Sequence, residues 1–215
     1  MKLLSKISLF VFLITALACE KNEETFEAKL STASKSINSK APNFDVNFKY
    51  KSTIQVGGEG ASEISAFDAK NNKLFVVNVE STQISVFDIS DLDNPIEEAP
   101  IAIASGAPNS VAVNKGRLAI ALEAEVEQDP GYIKVYDTKS RTLLNTYNVG
   151  ALPDMVTFSP NGKFILSANE GEPDDLYVND PKGTISIIDT ESNTVSTLNF
   201  DGFNIMETSL EADGF

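Results

Sequence analysis

One stretch of this sequence concentrates side chains that bind cations. It contains Asn169, Glu170, Glu172, Asp174 and Asp175, interrupted by one glycine and one proline. Carboxylate and amide oxygens are the ligands that Ca²⁺ prefers, and one loop can supply several of them. The stretch is therefore a candidate calcium or ligand site, although its spacing is not that of an EF-hand. Solvated surface charge is the alternative interpretation.

Two further candidates, Glu63 and Asp154, each follow a glycine-containing turn and precede an apolar run. With Glu170 and Glu172 they could hold a divalent ion that polarises a phosphoryl oxygen, which makes a calcium-dependent phosphoesterase the alternative function. No plausible nucleophile stands out beside them. A non-enzymatic role is therefore the first hypothesis.

Composition excludes several other functions. The chain has no histidine and one cysteine, so the usual zinc sites and Ser-His-Asp or Cys-His catalysis cannot be built from it. Its formal net charge is -14. Nucleic acid is therefore excluded as a partner, because binding to phosphates depends on lysine and arginine, whereas cationic ligands are favoured.

The amino terminus has the pattern of a bacterial lipoprotein. Residues 1–18 combine lysines with an apolar run too short to span a membrane, which predicts an export signal. Residues 16–19, Ala-Leu-Ala-Cys, resemble a lipobox, which implies that Cys19 carries the lipid anchor and makes the membrane a partner. We expect an outer-membrane or cell-surface location, with the periplasmic leaflet as the alternative. The polar composition of residues 19–42 predicts a flexible tether.

Strand patterns repeat along the rest of the chain, residues 43–215. Alternating apolar residues from Phe44 predict a leading strand that extends to about residue 56. Three later strands, at 83–88, 132–137 and 184–189, each end in aspartate, and these aspartates are 137 - 88 = 49 and 189 - 137 = 52 residues apart. Each has three other apolar runs around it, and four strands at this period are typical of propeller blades.

The sequence thus predicts an all-β fold, a β-propeller with four-stranded YVTN/WD40-like blades at about 57–105, 106–149 and 150–200. Three blades are fewer than the four to eight that close a ring, so we expect an incomplete propeller. In such blades the loops into the first strands share a face with the loops between the second and third strands, so the acidic stretches should converge there. The strand-end aspartates Asp88, Asp137 and Asp189 should instead cap turns.

Several motifs resemble the choice-of-anchor I family over residues 50–215. They are Gly60 to Asp68, Gly150 to Gly162, and above all Ala168-Asn169-Glu170-Gly171-Glu172-Pro173-Asp174-Asp175 followed by Gly183 to Asp189. The resemblance implies an extracellular propeller, tethered by one of several kinds of anchor. Some members carry an alkaline phosphatase label, but no catalytic role transfers to Glu170 or Glu172.

We therefore expect a lipid-anchored surface module for binding or adhesion. Its partner would be a protein, a glycan or a cationic ligand that contacts the acidic face. A pure spacer is the third hypothesis.

Overall fold

Twelve strands lie in the described part of the chain, all of them after residue 61. The structure is a computed structural model that describes residues 48–204, 206–212 and 214, and the strands belong to one unit, residues 50–215. The predicted export signal, Cys19 and the tether lie outside the described residues. No helix in the described part of the chain is long and apolar enough to cross a membrane.

The strands form three four-stranded antiparallel sheets, and in each sheet neighbours in space are neighbours in sequence. The first sheet, blade 1, contains β1 (Ser62–Asp68), β2 (Lys73–Asn78), β3 (Gln83–Asp88) and β4 (Ile96–Ala102). Blade 2 contains β5 (Pro108–Asn114), β6 (Arg117–Leu122), β7 (Pro130–Asp137) and β8 (Leu143–Ala151). Blade 3 contains β9 (Pro153–Phe158), β10 (Phe164–Asn169), β11 (Thr184–Asp189) and β12 (Thr194–Asn199).

This arrangement confirms the all-β prediction and shows three propeller blades. The predicted strands 83–88 and 184–189 coincide with β3 and β11, and the predicted strand 132–137 lies within β7. Blade 2 packs between blades 1 and 3, so its largely apolar strands β6 and β7 are covered on both faces.

Two apolar cores hold adjacent blades together. Between blades 1 and 2, Phe75 and Ile84 of one sheet pack with Leu118 and Ile120 of the next, and all four are fully buried. Between blades 2 and 3, the second core includes the fully buried Ile133 together with Ala119 and Ala121 of β6 and Ile165 and Ile188 of blade 3. The cores fix each sheet relative to the next.

The predicted leading strand is wrong over its described part. Residues 48–56 form no strand, and Phe48 is 93% exposed. Alternating side chains are only a local property, whereas a strand also needs backbone partners at a sheet edge. After β12 the chain forms two short helices, α1 (Asp201–Asn204) and α2 (Glu207–Ala212).

Candidate functional site: the acidic loop face

Six loops lie together at one end of the blades, and we call this end the acidic loop face. They are the loops that lead into β1, β5 and β9 and the loops β2–β3, β6–β7 and β10–β11. Contacts between blades 2 and 3 align two pairs of them: Gln128 Nε2 donates to the carbonyl oxygen of Glu172 at 3.4 Å, and Asn109 Nδ2 donates to that of Pro153 at 3.4 Å. The loops of blades 2 and 3 therefore lie side by side at this end.

Negative charge dominates this face. Its loops and the first two residues of each following strand carry one base, Lys182. Their acids are Glu59, Glu63, Glu80, Glu123, Glu125, Glu127, Asp129, Asp154, Glu170, Glu172, Asp174, Asp175 and Asp180. Lys182 itself pairs with Asp201 at 2.8 Å. The face is therefore a concentrated source of negative potential.

The two loops of blade 2 are held rigidly against each other. The amide of Glu123 donates to the carbonyl oxygen of Ala107 at 3.0 Å. Gly106, at φ 73°, lies so close to the Glu123 carbonyl oxygen that a β-carbon there would be 1.9 Å from it. Only glycine fits this position. The side chains of Asn109 and Glu123 then meet at 3.2 Å.

Beside these loops lies an open groove of about 460 Å³. Its lining combines carboxylates with an aromatic ring and apolar groups: Ser105, Ala124, Glu125, Val126, Asp129, Pro130, Tyr132 and Asn148. The hydroxyl of Ser105 donates to Glu125 Oε1 at 3.0 Å, which fixes one carboxylate at the rim. Carboxylates next to a half-exposed tyrosine ring offer both charge attraction and cation–π contact to a basic group.

Asp174 organises its own loop. Its carboxylate accepts hydrogen bonds from the amides of Leu176, Val178 and Asn179 at 2.9 to 3.2 Å. These amides, Val178 first, lower the pKa of Asp174 below its ordinary value. Because the carboxylate is engaged in this way, it shapes the loop more directly than it serves a ligand.

Asn169 lies in the interior, although the sequence placed it among the candidate ligands. It is 3% exposed. Its Nδ2 donates to Thr184 and Ser186 at 3.0 Å each, and its Oδ1 accepts from Ser167 at 3.0 Å. The side chain therefore joins β10 to β11, a role that the spacing of the loop did not reveal.

The remaining candidates, Glu63, Asp154, Glu170, Glu172 and Asp175, are exposed on the acidic loop face. Within residues 48–204, 206–212 and 214, no three His, Cys, Asp or Glu side chains converge closely enough to hold a metal ion. The calcium site stays a prediction from composition. What the arrangement offers chemically is a charged surface with a groove.

Comparison with known proteins identifies the domain. The family model of the choice-of-anchor I domain matches residues 63–215, which include all three blades except the first residue of β1. The chain belongs to the choice-of-anchor I family. Membership in this family indicates a cell-surface or extracellular domain.

Solved structures also resemble this choice-of-anchor I domain. A hydrazine synthase from Kuenenia stuttgartiensis is 22% identical, with a TM-score of 0.49 over 64% of this chain and 37% of that chain. The WD40 domain of Pan2 from Neurospora crassa is 11% identical, with a TM-score of 0.49 over 65% and 40% respectively. The chain thus spans about two fifths of each of these structures. No curated protein matches its sequence.

Proposed function

We propose that this choice-of-anchor I protein is a non-enzymatic binding module, anchored by lipid at Cys19, that contacts a cationic partner through the acidic loop face. One observation carries the proposal: that face holds a single base, Lys182, among thirteen carboxylates. A surface with one sign of charge attracts ligands of the opposite sign and raises their association rate.

The groove next to Tyr132 supports a partner that presents basic side chains. Its two carboxylates, Glu125 and Asp129, flank apolar and aromatic surface. A lysine or arginine has an apolar stem and a charged end, and this groove offers a match for each part. A basic segment of a protein fits better than a neutral glycan, which would gain nothing from the charge.

Binding of a cationic peptide tests the contact surface. We expect fluorescently labelled heptalysine to bind the 215-residue chain at low ionic strength and to dissociate as salt is added, because mobile ions screen exposed charges. The variant Glu125→Gln/Glu127→Gln/Asp129→Asn should bind about fivefold more weakly, since it removes three charges around the groove.

A matched variant controls for net charge. Asp93→Asn, Glu97→Gln and Glu191→Gln together remove the same three charges at the opposite end of the blades. The two variants are compared at about 0.1 M salt, where the screening length is about 10 Å. The control variant should then lose less than about twofold in affinity, because strands of six residues or more, about 20 Å long, separate its charges from the acidic loop face. Equal losses in the two variants would show that net charge alone, and not this face, attracts the peptide.

The anchor is tested separately. Acyl chains on Cys19 would hold the protein to a membrane, because each buried methylene contributes about 0.8 kcal/mol. We expect the 215-residue chain in bacterial cells to sediment with the outer membrane and its Cys19→Ala variant to appear in the soluble fraction. Sedimentation of Cys19→Ala with membranes would contradict lipidation.

A further inference from the structure

The segment Lys51–Gly57 has the side-chain pattern of a strand but belongs to none of the three sheets. Ser52, Ile54 and Val56 are half-buried, whereas Lys51, Thr53 and Gln55 are exposed. Alternation with period two means that one face of an extended chain is covered. The segment thus lies as a strand would, and among the described residues no strand pairs with its backbone edge.

Its sequence resembles that of the outer strand of blade 2, with three of six residues identical. Residues 52–57 read Ser-Thr-Ile-Gln-Val-Gly, and residues 145–150 of β8 read Asn-Thr-Tyr-Asn-Val-Gly. In β8 the two alternating side chains, Tyr147 and Val149, are buried in the core between blades 2 and 3. Ile54 and Val56 occupy the same two positions before a glycine.

Contacts at one end of the segment repeat those of the outer strands. At each junction, the outer strand of one blade is bonded to the turn between the third and fourth strands of the next. Arg141 donates to the carbonyl oxygen of Ala99 in β4 at 2.6 Å, and the Tyr147 hydroxyl of β8 donates to Asn193 at 2.7 Å. In the segment, Ser52 donates to the carbonyl oxygen of Leu92 at 2.7 Å, and Lys51 pairs with Asp93 at 2.9 Å.

The other end repeats a second contact. Asn78 and Asn169 are the last residues of the second strands of blades 1 and 3. Asn78 Nδ2 donates to the carbonyl oxygen of Val56 at 2.7 Å. Asn169 lies against Gly150, where a β-carbon would be 2.9 Å from its Nδ2. The segment therefore sits on blade 1 as β8 sits on blade 3.

From this equivalence we infer that Lys51–Gly57 is the fourth strand of a further blade, and that its free edge binds a three-stranded antiparallel sheet. All twelve described strands already belong to the other blades, so the sheet comes from polypeptide outside residues 50–215. An unpaired strand edge is a template for another strand, and its backbone groups supply the affinity. The strand that pairs with it should have the apolar alternation of β7.

The β7–β8 pair gives the expected register. Tyr132 of β7 lies opposite Asn148 of β8. Gln55 stands two residues before Gly57, as Asn148 stands two residues before Gly150. In the strand that pairs with this segment, the residue that corresponds to Tyr132 of β7 should therefore lie opposite Gln55.

Disulfide trapping tests this register. The probe is a synthetic peptide with the sequence of Gly131–Asp137 and the change Tyr132→Cys, and the protein is the full chain with Cys19→Ser, which removes its one cysteine. We expect Gln55→Cys to cross-link about tenfold faster than Thr53→Cys, because a disulfide needs β-carbons about 4 Å apart. Thr53 and Gln55 are both exposed, and thermal unfolding of each variant verifies its fold.

Asn148→Cys is the matched control. Asn148 is exposed, but β7 already occupies the edge of β8 on which the peptide would pair, so this variant should react as slowly as Thr53→Cys. Equal rates for Gln55→Cys and Thr53→Cys would overturn the inference, since they would show no register. A fast reaction of Asn148→Cys would also overturn it, because the peptide would then not be selecting a free edge.

Discussion

The two ends of the blades use their carboxylates differently. The end opposite the acidic loop face, where short turns join the strands, we call the turn face. There Asp88, Asp137 and Asp189 accept hydrogen bonds from the backbone amides of residues that follow them. On the acidic loop face, carboxylates such as Glu172 and Asp175 are exposed on longer loops. The comparison indicates that carboxylates stabilise the fold at one end and remain available to a partner at the other.

Lysine and arginine side chains are also distributed unevenly between the two faces. On the turn face, Lys73 pairs with both Asp88 and Glu98, and Arg141 adds a contact to Glu98 at 3.3 Å. The hydrogen bonds that Lys73 donates to Asp88 and Glu98 raise the pKa of its amine. Across two blades, Arg117 lies over the ring of Phe158 at 5.2 Å. The bases are thus concentrated where they pair with structural acids, which leaves the other face unneutralised.

The largest expected effect comes from Asn169, a buried amide side chain that belongs to neither group of carboxylates. Asn169→Ala should lower the free energy of unfolding by about 2 to 3 kcal/mol, because it leaves the buried hydroxyls of Ser167 and Ser186 and the half-buried hydroxyl of Thr184 without their partner. Urea unfolding measures the loss. The neighbouring variant Glu170→Ala should stay within about 0.5 kcal/mol of the wild type. A neutral Asn169→Ala would mean that this side chain is not structural.

A smaller effect should separate the two faces directly. Asp137→Ala removes hydrogen bonds from the amides of Lys139 and Ser140 and should cost about 1 kcal/mol. Asp175→Ala, the same change on the acidic loop face, should alter stability by less than about 0.5 kcal/mol. Thermal unfolding of both variants measures the contrast. Similar losses would abolish the distinction between the faces.

Low pH should reduce the loss of stability that Asp137→Ala causes. The amide and hydroxyl of Ser140 lower the pKa of Asp137 in the folded state below its ordinary value of 3.8. A lowered pKa stabilises the fold above the ordinary pKa, and this stabilisation is lost as the pH falls through the folded-state pKa. The difference between wild type and variant should therefore be full at pH 7 and shrink below about pH 4. A constant difference would contradict this mechanism.

The smallest effect concerns removal of unneutralised charge. Asp175→Asn together with Asp180→Asn should leave the free energy of unfolding unchanged or raise it by up to about 0.5 kcal/mol, because like charges on one surface repel each other. The same variant in high salt should lose any gain, since salt screens the repulsion. Marked destabilisation would show that these two carboxylates support the loop as Asp174 does.

The repeat made much of the architecture predictable. The strands that end in Asp88 and Asp189 were found from apolar runs, and the turn-capping role of these aspartates followed from the polar turns after them; hydrogen bonds confirm that role. Asn169 shows the limit of this reasoning. The acid-rich motif around Asn169 predicted that this side chain binds a ligand. The side chain instead points into the interior, because the alternation of β10 places it between two sheets.

The sequence alone determined the three described blades, their order and the loops that carry the acids, because strand period and turn chemistry are local properties. Only the tertiary structure decided which polar groups are consumed by packing. It buried Asn169, engaged Asp174 with its own loop and laid Lys51–Gly57 against blade 1 with no sheet partner in the part of the chain that the structure describes. These outcomes depend on contacts between residues far apart in the chain, which no local pattern specifies.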